Sequence, residues 1–198
     1  MWGSKRKSLA GDEEGAVAVE FGLVAMTFIV LLLGIMDFGV AFWQWNSASK
    51  ALELGARLAA VSDPVSTDIK NYAVVPGDPI TPFERVCITS ATEGSCSNGG
   101  TYDAEALQII VYGARGRTAC VEPPQGRPAM CNLFPRIRPQ NVRVEYQRVA
   151  TGSPAPTITL SLTGLNYDFV VLDSLLGLGS IPMTGLSVTA TAEDLSGT

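Results

Sequence analysis

The chain has no histidine, so it lacks the commonest general base and metal ligand. Its four cysteines contain no Cys-x-x-Cys pair, the close spacing that structural zinc sites favour. No P-loop or dinucleotide-binding glycine pattern occurs, so phosphate cradling by a glycine-rich loop is not expected. Charge is scarce: 17% of the 198 residues are charged and the net charge is −5. That balance argues against nucleic-acid binding, which needs a basic surface. An enzyme built from what is left would need a Ser-Lys or carboxylate pair. Ser62-Asp63, and Asp168 near Asp173, are the weak candidates, and each reads better as a cap or turn. No catalytic residue, metal or cofactor is expected, and the chain is not expected to be an enzyme.

What the chain does have is organised around residues 15–45. This stretch contains no Lys or Arg and two charged residues, Glu20 and Asp37. As a helix rising about 1.5 Å per residue it is roughly 45 Å long, enough to cross a bilayer with some left over. Lys5, Arg6 and Lys7 precede it, and Trp43 and Trp45 close it where an aromatic belt would sit. A single membrane span follows. The first fifteen residues hold three basic and three acidic side chains, so their removal would leave the charge at −5.

The start of the span carries a motif: Gly15, the small apolar residues Ala16-Val17-Ala18-Val19, the acid Glu20 and the aromatic Phe21. This resembles the cleavage site of type IV prepilins. The resemblance implies that a dedicated peptidase cuts between Gly15 and Ala16, making Glu20 the fifth residue of the mature chain. An ordinary secretory signal places its small-residue site after a short apolar core. Here the site precedes the core, so the span would survive processing.

Residues 15–61 also resemble the N-terminal signature of TadE-like proteins, the pseudopilins of the tight-adherence (Flp) pilus assembly system. The matching features are the small residues before Glu20-Phe21, the triplet Asp37-Phe38-Gly39, and the small-residue helix with Gly55-Ala56-Arg57. Major type IV pilins usually begin with Phe after cleavage. The residue here is Ala16, which leaves N-methylation without support. The resemblance implies a minor pilin or pseudopilin acting in pilus assembly, initiation or adhesion. Its partners would be a prepilin peptidase, other pilins or pseudopilins, inner-membrane pilus assembly proteins and the membrane itself. It also implies that Glu20 pairs with the free amine of Ala16 on a neighbouring subunit, so that Glu20 and Phe21 set subunit register. The simpler reading of Glu20 is an acid snorkelling to the headgroups, since a central acid costs about 2.5–3.5 kcal/mol. Asp37 marks either the end of the bilayer or a second polar contact with a partner helix. The alternative for the whole chain is a membrane-anchored envelope binding module or adhesin with an uncleaved signal anchor.

Cys87, Cys96, Cys120 and Cys131 all follow the span, so an even count on one side of a membrane points to two disulfides in an oxidising compartment. Three pairings exist. The local one, Cys87–Cys96 with Cys120–Cys131, is favoured because each bridge would restrain a turn-rich loop. With the basic cluster at residues 5–7, the cysteines place the N-terminus in the cytoplasm and the C-terminal part in the periplasm. The expected location is the bacterial inner membrane, or a surface pilus built from it.

The expected organisation is a leader over 1–15, a transmembrane helix over 16–45, a helical extension over 46–61 and a β-rich extracytoplasmic domain over 62–198, an α+β, pseudopilin-like fold. In the extension, Ala48, Ala51, Leu52, Gly55, Leu58 and Ala59 fall on one face. Ala51, Gly55 and Ala59 form a small-residue ridge that permits close approach, either to the chain's own domain or to neighbouring pseudopilins. Strands are expected at 83–89, 107–112, 141–149, 157–165 and 186–192, with a loop over 90–100 and irregular chain over 113–139. That irregular stretch carries Arg115, Arg117, Arg127, Arg136 and Arg138, a basic loop able to meet an acidic partner or simply to be solvated. Residues 168–178 are apolar but too short to span a bilayer, and read as a buried turn or an interface segment.

Overall fold

The computed structural model describes residues 13–72, 80–90, 93–122, 124, 126–150, 155–177 and 179–192. Most of the expected leader, including Lys5, Arg6 and Lys7, lies outside these residues. In chain order the elements are helix α1 (Glu13–Val61), strands β1 (Phe83–Thr89) and β2 (Gly94–Cys96), and helices α2 (Ala104–Tyr112) and α3 (Met130–Leu133). Then come β3 (Val142–Arg148), β4 (Thr157–Leu162), β5 (Asn166–Asp168), helix α4 (Val171–Leu176), β6 (Ser180–Pro182) and β7 (Ser187–Thr191). The architecture is α+β: one long apolar helix followed by a small antiparallel sheet domain. The chain forms two compact units. One holds α1 as far as Ala41 together with Asp168–Gly179; the other holds Phe42–Tyr167 and the chain from Ser180 onward.

The larger unit is built on a five-stranded antiparallel sheet in the order β2-β1-β3-β4-β7. Its strands alternate as half-buried strands must: Val142, Val144 and Tyr146 of β3 and Ile158, Leu160 and Leu162 of β4 face inward, and all six are buried. The last third of α1 lies over that face. Ala48, Ala51, Leu52, Ala56 and Ala59 are buried, and at Gly55 the packing is closest. A Cβ there would stand 2.5 Å from Met130 Sδ and 3.1 Å from Leu160 Cδ2. The small-residue ridge is therefore occupied by the chain's own domain. After α1 the chain is tied down at Val65, whose amide donates to the Tyr146 hydroxyl at 2.9 Å. Burial raises the pKa of that phenol well above its usual value, although the hydrogen bond from Val65 acts the other way.

Residues 107–112, expected as a strand, form most of α2. Sequence pattern alone does not separate a short apolar run in a strand from one in a buried helix, and here the helix ends decide. Asp103 Oδ1 accepts from the amides of Glu105 (2.9 Å) and Ala106 (3.2 Å), a side-chain N-cap. Gly113 closes the helix at φ 87°, a left-handed position that suits glycine. Between these caps Ala106, Leu107, Ile110 and Val111 are buried at helical spacing. Within the expected loop at 90–100, Gly94–Cys96 pairs with β1 in the register Cys87↔Cys96.

Candidate functional site

The smaller unit carries the apolar stretch of α1. Residues 15–33 of α1 are largely uncovered. Val17, Phe21, Leu23, Val24, Met26, Phe28 and Ile29 are all exposed, and the helix is long and apolar enough to cross a membrane. Gly15, Ala16, Glu20 and Phe21 are exposed on its first turns. Ala16 and Glu20 stand four residues apart and so share a face.

Cover begins at Gly34. Leu172 Cδ2 would lie 3.4 Å from a Cβ at that position, so the missing side chain seats the leucine. One turn on, Asp37 is only 6% exposed. Its Oδ2 accepts from the backbone amides of Val171 at 2.9 Å and Leu172 at 3.0 Å, the first two residues of α4. Beside it Phe38 and Phe169 meet edge to face, ring centroids 5.4 Å apart. Gly34, Asp37 and Phe38 are spaced i, i+3, i+4 and lie on one helix face. The apolar segment at residues 168–178 thus folds as a short helix whose first amides are satisfied by an acid on α1. The sequence leaves Asp37 between a bilayer edge and a contact to a partner helix; within this chain its contact is to α4. The triplet Asp37-Phe38-Gly39 was the visible signal, but its partner lies 134 residues away.

In the larger unit the disulfides join Cys87 to Cys96 and Cys120 to Cys131. The first staples β1 to β2. The second ties the irregular loop to α3, where Asn132 adds a hydrogen bond from Nδ2 to the Val121 carbonyl at 2.9 Å. Three of the five loop arginines are engaged by the chain itself. Arg115 bonds Asp63 and reaches Glu105 at 3.3 Å and Asp103 at 3.7 Å. Arg117 donates to the Tyr112 carbonyl, and Arg136 donates to Gln44 and to the Asn166 carbonyl. These contacts tie the loop to the fold, while Arg115, Arg127, Arg136 and Arg138 stay exposed, and of these four only Arg115 is paired with carboxylates among the ion pairs of the described residues. A further polar cluster escaped sequence reading. Asp68 accepts from the Ser66 hydroxyl and from Arg85 Nε (2.8 Å). Burial opposes the Asp68 charge, but these two partners outweigh it and hold its pKa below the ordinary carboxylate value.

The model of the family described as TadE-like protein matches residues 15–57. This segment of the chain is similar to that family. The match opens at Gly15, runs the length of the uncovered helix and ends at Arg57, beyond the Gly55 contact. The TadE-like family suggests a protein associated with the tight-adherence pilus. No curated protein and no solved structure matches the chain.

Proposed function

We propose that this chain is a minor pilin or pseudopilin of a tight-adherence pilus, with a structural rather than an enzymatic role. A prepilin peptidase cuts between Gly15 and Ala16. The mature α1 then holds the protein in the bacterial inner membrane, with its N-terminus cytoplasmic and its sheet domain periplasmic. From there it joins other pilins, pseudopilins and inner-membrane assembly proteins in starting, building or decorating the pilus. The observation that carries this reading is that the TadE-like match at residues 15–57 takes in the apolar stretch of α1 at residues 15–33, which the other described residues leave largely uncovered. Glu20 supports it. An acid one turn inside an apolar helix is costly in lipid, and the new amine of Ala16 on a neighbouring subunit would neutralise it. Two disulfides in the larger unit fit an oxidising compartment.

N-terminal sequencing of the membrane-extracted protein tests the proposal. The expected mature N-terminus is Ala16, and Gly15→Val should leave the chain uncut. A wild-type protein that retains Met1 would instead indicate an envelope binding module or adhesin held by an uncleaved anchor.

A further inference from the structure

The segment that caps onto Asp37 has two sides. Phe169 and Leu172 are buried, whereas Val170 is 75% and Leu175 51% exposed. The outward aliphatics lie at a defined level. α4 meets α1 at Gly34, Asp37 and Phe38, about 20 residues beyond Ala16, and 20 residues of helix span roughly 30 Å, the thickness of a bilayer's hydrocarbon core. We propose that the outer face of residues 170–175, led by Val170 and Leu175, docks into the lipid of the bilayer that α1 crosses, as a shallow contact at the boundary where α1 leaves it. The proposal rests on the reading of α1 as a membrane anchor.

Lipid is the occupant that the surroundings select. The face continues an apolar surface already present on α1 at the same level, where Ile35, Met36 and Phe38 are exposed. Backbone at membrane depth is tolerated only when its polar groups are satisfied within the protein. Here the leading amides of α4 are taken by Asp37, and its last turn closes through Gly177 N–H to the Asp173 carbonyl at 2.8 Å. The segment 168–179 carries no Lys or Arg. Its acids, Asp168 and Asp173, are exposed, and Asp173 accepts from Gly179 N at 2.8 Å. Two carboxylates set the depth: they hold the segment at the headgroups while the aliphatics enter the upper acyl region.

The test uses the full chain in phospholipid nanodiscs. The four native cysteines are disulfide-bonded, so a single introduced thiol can carry an environment-sensitive fluorophore. Labels are placed at Leu175→Cys, at Ile29→Cys on the uncovered helix, and at Val149→Cys, an exposed site on the sheet unit. The expected result, in discs loaded with one copy, is blue-shifted emission at 175 that is quenched by nitroxides on the upper acyl chain. The label at 29 should be quenched by deeper nitroxides, and the label at 149 should remain aqueous. An aqueous label at 175 beside a lipid-exposed label at 29 overturns the proposal and leaves the anchor standing. An aqueous label at 29 overturns the anchor and the proposal with it. A blue shift at 175 that needs several copies per disc overturns lipid docking in favour of contact between copies.

Discussion

Replacing Asp37 by alanine isolates what holds α4 in place. The helix has six residues, far below the length at which a helix persists alone, so it depends on its cap and on the burial of Phe169 and Leu172. The alanine variant removes the acceptor of two amides at 2.9 and 3.0 Å and leaves the two buried side chains intact. Loss of a side-chain N-cap costs about 0.5–2 kcal/mol, and charged acceptors lie toward the upper end of the scale. A change of about 1–2 kcal/mol corresponds to roughly a 5- to 30-fold shift in an equilibrium, since 1.4 kcal/mol is tenfold. Amide hydrogen exchange of Val171 and Leu172 should therefore accelerate by about that factor where exchange reports local opening. Amides in β3 should exchange as before. Asp37→Asn keeps an acceptor oxygen and should fall between wild type and the alanine variant. Unchanged exchange at Val171 and Leu172 in the alanine variant would refute the cap, and equal acceleration across β3 would show that the effect is not local.

Three further outcomes follow from the larger unit. Gly55→Ala gains about 1 kcal/mol of helix propensity but drives a methyl against the buried Met130 side chain, an overpacking cost of about 1–3 kcal/mol. Thermal denaturation of the detergent-solubilised protein should thus show lower stability, and pairing the change with Met130→Ala should reduce its cost. Tyr146→Phe removes the partner of the Val65 amide. It should cost about 1–3 kcal/mol, the penalty for a buried donor left unmade, readable as a lower denaturant midpoint with an unchanged slope. Because the folded state lowers the Asp68 pKa, the charged carboxylate contributes stability that is present above the ordinary carboxylate range and is lost as pH falls through the lowered folded value. Acid unfolding of Asp68→Asn, followed by circular dichroism, should show less loss across that window, from a lower starting stability at neutral pH.

Much of the architecture is written locally. The apolar run at residues 15–45, the alternation of Val142, Val144 and Tyr146, and that of Ile158, Leu160 and Leu162, each follow from the period of the element that carries them. The Cys87–Cys96 bridge spans 9 residues and the Cys120–Cys131 bridge 11, so proximity in the chain already favoured both. The 107–112 run is the instructive failure. Ile109, Ile110 and Val111 speak for a strand, but the signals that make a helix of it lie outside the run, at Asp103 and Gly113.

Hydropathy and the spacing around Gly15 and Glu20 were therefore enough to mark an apolar helix and its TadE-like start, because both are properties of neighbouring residues. The tertiary structure alone decided which surfaces that helix keeps free. It turned the Ala51–Gly55–Ala59 ridge inward onto Met130 and Leu160, spent Arg115 and Arg136 on the fold, and gave Asp37 its partners in α4. The physical reason is range: a buried carboxylate is satisfied by whichever amides the folded chain brings within 3 Å, and those amides stand more than a hundred residues away, where no local pattern records them.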